Sequence, residues 1–339
     1  MAGMNVFTGN AFSAISLTGA IEKRDYLPQL LGSLNLFEPE PVNTRNVMVD
    51  RSSTGLTLIP TSADGSPPAQ LERSGRDIVN LRTTRLAKSF TMFAREIEAI
   101  RETGSETELM RVQTEYMKRM DRVNRDMELT HEYHRLGALQ GLLLDADGTT
   151  VIYNYETEFA EVIPAPISFE LDVTTTNIHK ICKSITRDMA RTSKGAMAAA
   201  SVHSLCGDAF YDDLVSHPNV EKFYLNQAAA RDAMANQGQV WESFTVGGIT
   251  FHNYRGTDDN STVAIPDAEA RFFPVGAADT FKVAYAPHDS FDFVNTPGQR
   301  TYAQNVIDKD RNMWVMGELY SYPLYVNQRA GLVRKATRT

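Results

Sequence analysis

Residues 106–144, ETELMRVQTEYMKRMDRVNRDMELTHEYHRLGALQGLLL, read as one long amphipathic helix. Leu109, Val112, Tyr116, Met120, Val123 and Met127 recur at intervals of three or four, the period of one helix face. Ser105 with Glu108 makes a capping-box start, and neither Pro nor Gly interrupts the pattern before Gly137. At ~1.5 Å per residue, roughly forty residues would extend ~60 Å, more than the width of a small domain. Such a rod spans a subunit instead of filling its core. The opposite face carries Arg111, Glu115, Lys118, Arg119, Arg122, Arg125 and Asp126, with Glu115 placed four residues before Arg119. That face is either solvated or set against neighbouring subunits.

Composition bounds the rest. The chain has 339 residues, enough for two domains or one elaborated domain, and its 42% apolar and 22% charged residues suit a globular protein with a real core. No apolar run approaches the ~18 residues that a membrane span needs. The opening MAGMNVFTGNAF lacks the basic-then-apolar plan of a signal peptide. Cys182 and Cys206 are too few for a disulfide framework and have no neighbours for a metal site, so they are expected as buried small residues in a reducing cytoplasm.

The net charge of −8 is unevenly distributed. Residues 43–95 hold eight basic and four acidic side chains, whereas 200–300 hold six basic and thirteen acidic ones. A globally acidic chain is a poor candidate for tight DNA binding, which depends on clustered Lys and Arg. A basic arm on an acidic body suits one copy gripping another.

Along the chain, residues 1–42 contain small polar residues, short apolar patches and Pro28, Pro39 and Pro41, and read as an extended arm ordered by docking on something else, with a mobile tail as the alternative. Residues 43–95 read as a long hairpin, two strands of ten or more residues around the turn-forming Asp64-Gly65 and Pro67-Pro68. A two-stranded ribbon is marginal in water, so this one is expected to lie across a partner surface. After the helix, DADGTTVIYNY gives a hairpin at Asp147-Gly148, and Ile178, Ile181, Ile185 and Met189 give a second amphipathic helix. SVHSLCGDAFYDDLVSHPNVEKFY reads as a strand then a helix, ESFTVGGITFHNYRG as a hairpin at Gly247-Gly248, and KVAYAPHDSFDFVNTPG as a strand entering a loop. The tail, NMWVMGELYSYPLYVNQRAGLVRKA, reads as one long returning strand.

Chemistry-bearing motifs are weak. His131-Glu132-Tyr133-His134 places its histidines three apart where a zinc-protease helix needs four, and no third ligand is evident, so these are expected as helix-surface or interface residues. No phosphate loop, nucleophile elbow or dinucleotide fingerprint occurs. His217 and His288-Asp289 are not distinguished from ordinary satisfied polar residues. No catalytic residue, metal or cofactor is expected; a hydrolase on His131 and His134 is the enzymatic alternative, marked by stoichiometric zinc.

The order of elements, together with SLCGDAFYDDLVSHPNVEKFY, GGITFHNYRG, Ala286-Pro287 followed by FDFVNTPG, and ELYSYPLYVNQRAGLVRKA, resembles the lambda-type phage major capsid proteins (phage capsid protein E). The likeness runs over nearly the whole chain and is clearest from Ser201 to Lys335. It implies the Hong Kong 97-type capsid fold, α+β in class. Residues 1–42 would be the N-terminal arm, 43–95 the extended loop, and 96–173 the peripheral domain with its spine helix at about 106–144. Residues 174–305 would be the axial domain, and 306–339 a strand returning to the peripheral domain. The function implied is the major capsid protein of a tailed double-stranded DNA phage, assembling into hexamers and pentamers of an icosahedral shell. A nanocompartment shell or a gene-transfer particle of the same fold is the alternative.

The same likeness implies inter-subunit contacts at the loop tip, Asp64, Gly65, Pro67, Pro68, Arg73 and Arg76, and on the spine at Arg111, Arg119 and Arg122. No Lys lies between Asn43 and Ala87, so covalent crosslinking through the loop is not expected. A separate scaffold protein, a decoration protein at threefold positions, the portal and non-specifically held double-stranded DNA are the expected partners, with no membrane. Assembly would take place in the host bacterial cytoplasm and end in the virion capsid.

Overall fold

The structure, a computed structural model, describes residues 30–50, 78–99, 108–193, 195–225, 243–254, 256–257 and 263–339. In chain order come α1 (Leu30–Ser33), β1 (Glu38–Pro41), β2 (Asn46–Asp50), β3 (Ile78–Arg82), β4 (Leu86–Phe93), α2 (Ala94–Ala99) and the long α3 (Glu108–Gln140). Then follow β5 (Leu142–Leu144), β6 (Val151–Asn154), α4 (Tyr155–Glu158), β7 (Ile167–Ser168), α5 (Ile178–Thr192), β8 (Ser201–Cys206), α6 (Asp208–Ser216) and α7 (Pro218–Leu225). The last third is strand-rich: β9 (Ser243–Val246), β10 (Ile249–Asn253), β11 (Glu269–Val275), β12 (Phe281–Tyr285), β13 (Tyr302–Ile307), β14 (Trp314–Ser321), β15 (Pro323–Asn327) and β16 (Arg334–Thr337).

At 33 residues, α3 is about 50 Å long. It forms one wall of two cores. Tyr116, Met120, Val123 and Met127 on its N-terminal half pack against Met92, Ala303, Val315 and Leu319 of the sheet ordered β13-β14-β4. Leu136, Ala138 and Leu139 on its C-terminal half pack against Val283, Leu324 and Val326 of the sheet ordered β1-β12-β15. The helix stops where Gly141 takes φ +81°, a conformation L side chains rarely adopt; a Cβ there would also stand 2.6 Å from Ile163. The period-3.6 stripe thus gave the helix correctly, with described bounds slightly inside 106–144.

A third core lies beyond. α5 lays Ile178, Cys182, Ile185 and Met189 on the six-stranded sheet ordered β7-β16-β11-β8-β10-β9, beside Phe210, Tyr211 and Leu214 of α6 and Val220 of α7. The Asn177 side chain accepts the Lys180 amide at 3.0 Å and caps α5, as Asn does at helix starts. Hairpins occur at Asp147-Gly148 and at Gly247-Gly248, as the turn residues required. Cys182 and Cys206 are both buried free thiols, pushed up to about 12 by burial.

Three expectations change. The described part of the arm docks on its own chain: Leu30, Leu31, Leu36 and Phe37 are buried, and β1 pairs in parallel with β12. The returning limb of the 43–95 hairpin is two strands. β3 pairs with β2, but the chain turns at Thr83–Arg85 and β4 pairs with β14, because the Thr84 amide donates to Pro323 O at 3.0 Å and redirects the backbone. The tail is three strands in three sheets: β14 pairs with β13 and β4, β15 with β12, and β16 with β11 and β7. Pro323, which has no amide to give, follows Tyr322 where the path switches. The chain therefore ends in the six-stranded sheet, and the strand expected to return to the long helix is β14.

Candidate inter-subunit contact surface

α3 turns its charged side outward. Lys118, Arg122 and Arg125 are exposed at i, i+4 and i+7. Arg119, one of the expected contact residues, is fastened within its own subunit: its guanidinium is 2.6 Å from Glu96 and 3.3 Å from Glu115, and donates to Thr91 O at 3.1 Å. Those bonds tie the helix to α2 and β4. Arg122 is free to meet another molecule, with no ion pair among the described residues. Arg111 lies on α3, and its side chain is outside the described part. Asp64, Gly65, Pro67, Pro68, Arg73 and Arg76 are also outside the described residues.

The base of the ribbon is described. In its register Val47 faces Leu81 and Val49 faces Val79, and this side packs on the core. Met48 and Ile78 are on the other side, 73% and 55% exposed. Two arginines clamp the base to the body. Arg45 pairs with Asp289 and lies 4.6 Å over the Tyr322 ring; Arg85 lies 5.1 Å over Tyr320. The Tyr320 hydroxyl donates to Glu318 at 2.7 Å; burial, then Glu318, pushes it up to about 12. Beside this clamp, Phe291 stands 99% exposed and Val294 is 55% exposed.

Beneath the outer surface lies a polar cluster that the sequence placed wrongly. His131 and His134 are 0% and 2% exposed, core residues and not surface or interface ones. The His131 ring meets the Tyr325 hydroxyl at 3.0 Å, burial holds it well below its ordinary value, and burial holds His134 down to about 4. Glu132 accepts the Leu31 amide at 2.9 Å and the Arg135 guanidinium at 2.9 Å, and Glu128 pairs with Arg300. A signal existed: 131 and 134 continue the apolar series 116, 120, 123 and 127, so the period put them on the inner face. Among the described residues no three His, Cys, Asp or Glu side chains stand where they could share a metal ion. No described helix is long and apolar enough to cross a membrane.

The family model described as Phage major capsid protein E matches residues 13–338. The chain belongs to that family. As a member it is a structural protein of the virion capsid. The chain is 28% identical to the major capsid protein of Pseudomonas phage KPP10 over 230 residues, covering 63% of this chain and 65% of that one, just under two thirds of its length. It is 23% identical to the major capsid protein of Salmonella phage Felix O1 over 348 aligned positions, 92% of each chain. Among solved structures, a prophage capsid protein from E. coli CFT073 is similar with TM-score 0.58 at 14% identity, covering 96% of this chain and 99% of that one. The capsid of Myoviridae phage XM1 is similar with TM-score 0.50 at 9% identity, covering 93% and 94%. At those identities the two structures speak for the shared mixed α/β fold.

Proposed function

We propose that this chain builds the shell of a tailed double-stranded DNA phage by assembling into hexamers and pentamers of the Hong Kong 97-type. Family membership over residues 13–338 is the observation that carries the reading. On it, residues 1–42 are the arm, 43–95 the extended loop, 96–173 the peripheral domain with α3 as its spine, and 174–305 the axial domain. Of 306–339, β14 returns to the spine and β16 joins the axial sheet. The ribbon fits a loop laid over a neighbour, since its outer side offers Met48 and Ile78 and its base is clamped by Arg45 and Arg85. A rigid base with an apolar outer side can transmit a neighbour's position to the body.

In this mechanism no single residue dominates, because a shell is held by many modest contacts. The loop tip (Asp64, Gly65, Pro67, Pro68, Arg73, Arg76) and the spine at Arg111 and Arg122 are proposed to meet other subunits. Arg119 is proposed to contribute by holding the spine in place. A separate scaffold, a decoration protein at threefold positions, the portal and non-specifically held DNA complete the proposed set of partners, with assembly in the host cytoplasm. Electron microscopy of the protein expressed alone and with its neighbouring virion genes tests the reading. Closed shells or hexamer-sized rings are expected; a monomer or dimer under both conditions would overturn it.

A further inference from the structure

The helix layer over the six-stranded sheet divides its charge. α5 buries Ile178, Cys182, Ile185 and Met189 and turns Lys180, Lys183, Arg187 and Arg191 outward, all four exposed. At ~100° per residue these four fall within an arc of roughly 80°, a stripe about 16 Å long. Arg191 has Asp188 beside it at 3.8 Å, both well exposed; Lys180, Lys183 and Arg187 meet no carboxylate among the described residues. α6 carries the opposite sign. Asp208 and Asp212 are exposed there on the same side as Val215 at 45%, while Asp213 is already taken by Arg338; α7 adds an exposed Glu221 next to an exposed Lys222. α7 packs against both α5 and α6, so the basic and acidic helices lie on its two flanks.

We propose that the basic stripe of α5 in one copy docks on the carboxylates Asp208 and Asp212 of α6 and Glu221 of α7 in the next copy, head to tail around a ring. This inference rests on the proposed shell function and names a contact for it. The argument is charge complementarity. Residues 200–300, which supply α6, α7 and most of the sheet, carry six basic and thirteen acidic side chains, whereas α5 carries Lys180, Lys183, Arg187 and Arg191 against Asp188 alone, so the two parts attract each other when copies are brought side by side. A contact that uses a different face on each partner is heterologous, and such contacts close into rings when the rotation is right. The α5 cations are held by a helix whose other face is fully buried, so the stripe is rigid and already aligned. Val215 supplies an apolar group on the same side of α6 as Asp208 and Asp212.

The test is a charge swap, read by sedimentation velocity and electron microscopy on the full chain expressed with its scaffold. One variant carries Lys183→Glu with Arg187→Glu, a second carries Asp212→Lys with Glu221→Lys, and a third carries all four. All four sites are exposed, and thermal unfolding confirms folding; Lys183→Gln with Arg187→Gln serves as a milder version of the first. Each two-site reversal is expected to lower the fraction of subunits in rings or shells about tenfold near 0.15 M salt, and the four-site variant to recover to within about twofold of wild type. Singly reversed chains that assemble like wild type, or a four-site variant no better than either parent, would overturn the contact. A third result also overturns it: reversal at α5 that leaves assembly intact but abolishes binding of a short DNA duplex would assign the stripe to nucleic acid. Wild-type chain that stays monomeric would fell the shell function itself, which separates that failure from failure of this contact.

Discussion

The backbone amide of Leu31 donates to the carboxylate of Glu132 at 2.9 Å across 101 residues of chain. A buried acid on the spine helix thereby caps the short α1 of the arm, and Arg135 at 2.9 Å balances its charge. Glu132→Ala removes both bonds and leaves a buried guanidinium without its carboxylate. The expected cost is about 3 kcal/mol of unfolding free energy, with α1 released first. Urea unfolding together with amide exchange at Leu31 checks this; a loss below about 0.5 kcal/mol would show that the arm is held otherwise.

Acid is expected to weaken the fold. Burial holds His134 down to about 4, and burial together with His203 holds His252 down to about 4. An unfolded imidazole takes its proton near 6.5, so these groups contribute stability that is present above ~6.5 and lost as pH falls toward 4. His134 alone contributes on the order of 3 kcal/mol. Glu128 and Glu132, raised by burial, act the other way: their contribution is full below ~4.5 and fades as pH rises through their folded values. His131, also lowered by burial, adds a third imidazole to the first side. Urea midpoints that fall between pH 6.5 and 4.5 are expected; a rising midpoint would reverse the assignment.

Gly317 in β14 is a window through which the spine packs. A Cβ there would stand 2.6 Å from the Phe90 ring and 2.7 Å from the Tyr116 hydroxyl. Phe90 and Tyr116 themselves meet edge to face at 5.0 Å. Gly317→Ala is expected to cost about 1–3 kcal/mol by overpacking, measurable by thermal unfolding. A variant as stable as wild type would mean that the helix can shift at no cost.

Arg119 and Arg122 are three apart on α3 and should behave differently. Arg119→Ala loses its bonds to Glu96, Glu115 and Thr91 O, and is expected to lower stability by about 1–2 kcal/mol. Arg122→Ala is expected to stay within about 0.5 kcal/mol of wild type and to act on assembly instead. Denaturant unfolding of both, next to particle yield, separates the two roles.

Charge reversal at the loop tip, Arg73→Glu with Arg76→Glu, is expected to reduce shell yield several-fold without changing the stability of the soluble subunit, since surface charges act mainly on association. Shell yield equal to wild type would remove the tip from the contact set.

The long helix was legible because a period of 3.6 is written in consecutive residues, and the same holds for α5 with Ile178, Ile185 and Met189, and for the turns at Asp147-Gly148 and Gly247-Gly248. Those features need only neighbours in the chain. The tail was misread as one strand, because whether β14, β15 and β16 share a sheet depends on partners as remote as Thr84, whose hydroxyl donates to Pro323 O from 239 residues away. His131 and His134 were misplaced because polar residue type was weighed above their position in the apolar series. Of the contact residues, the sequence named Arg119 and Arg122 alike as spine charges; only packing separates one that is tied to Thr91 from one that faces outward. Sequence alone determined local periodicity, turn positions and the uneven charge. Tertiary structure decided which strands pair, which charges are buried and which remain available, because those depend on desolvation and on contacts between segments far apart in the chain.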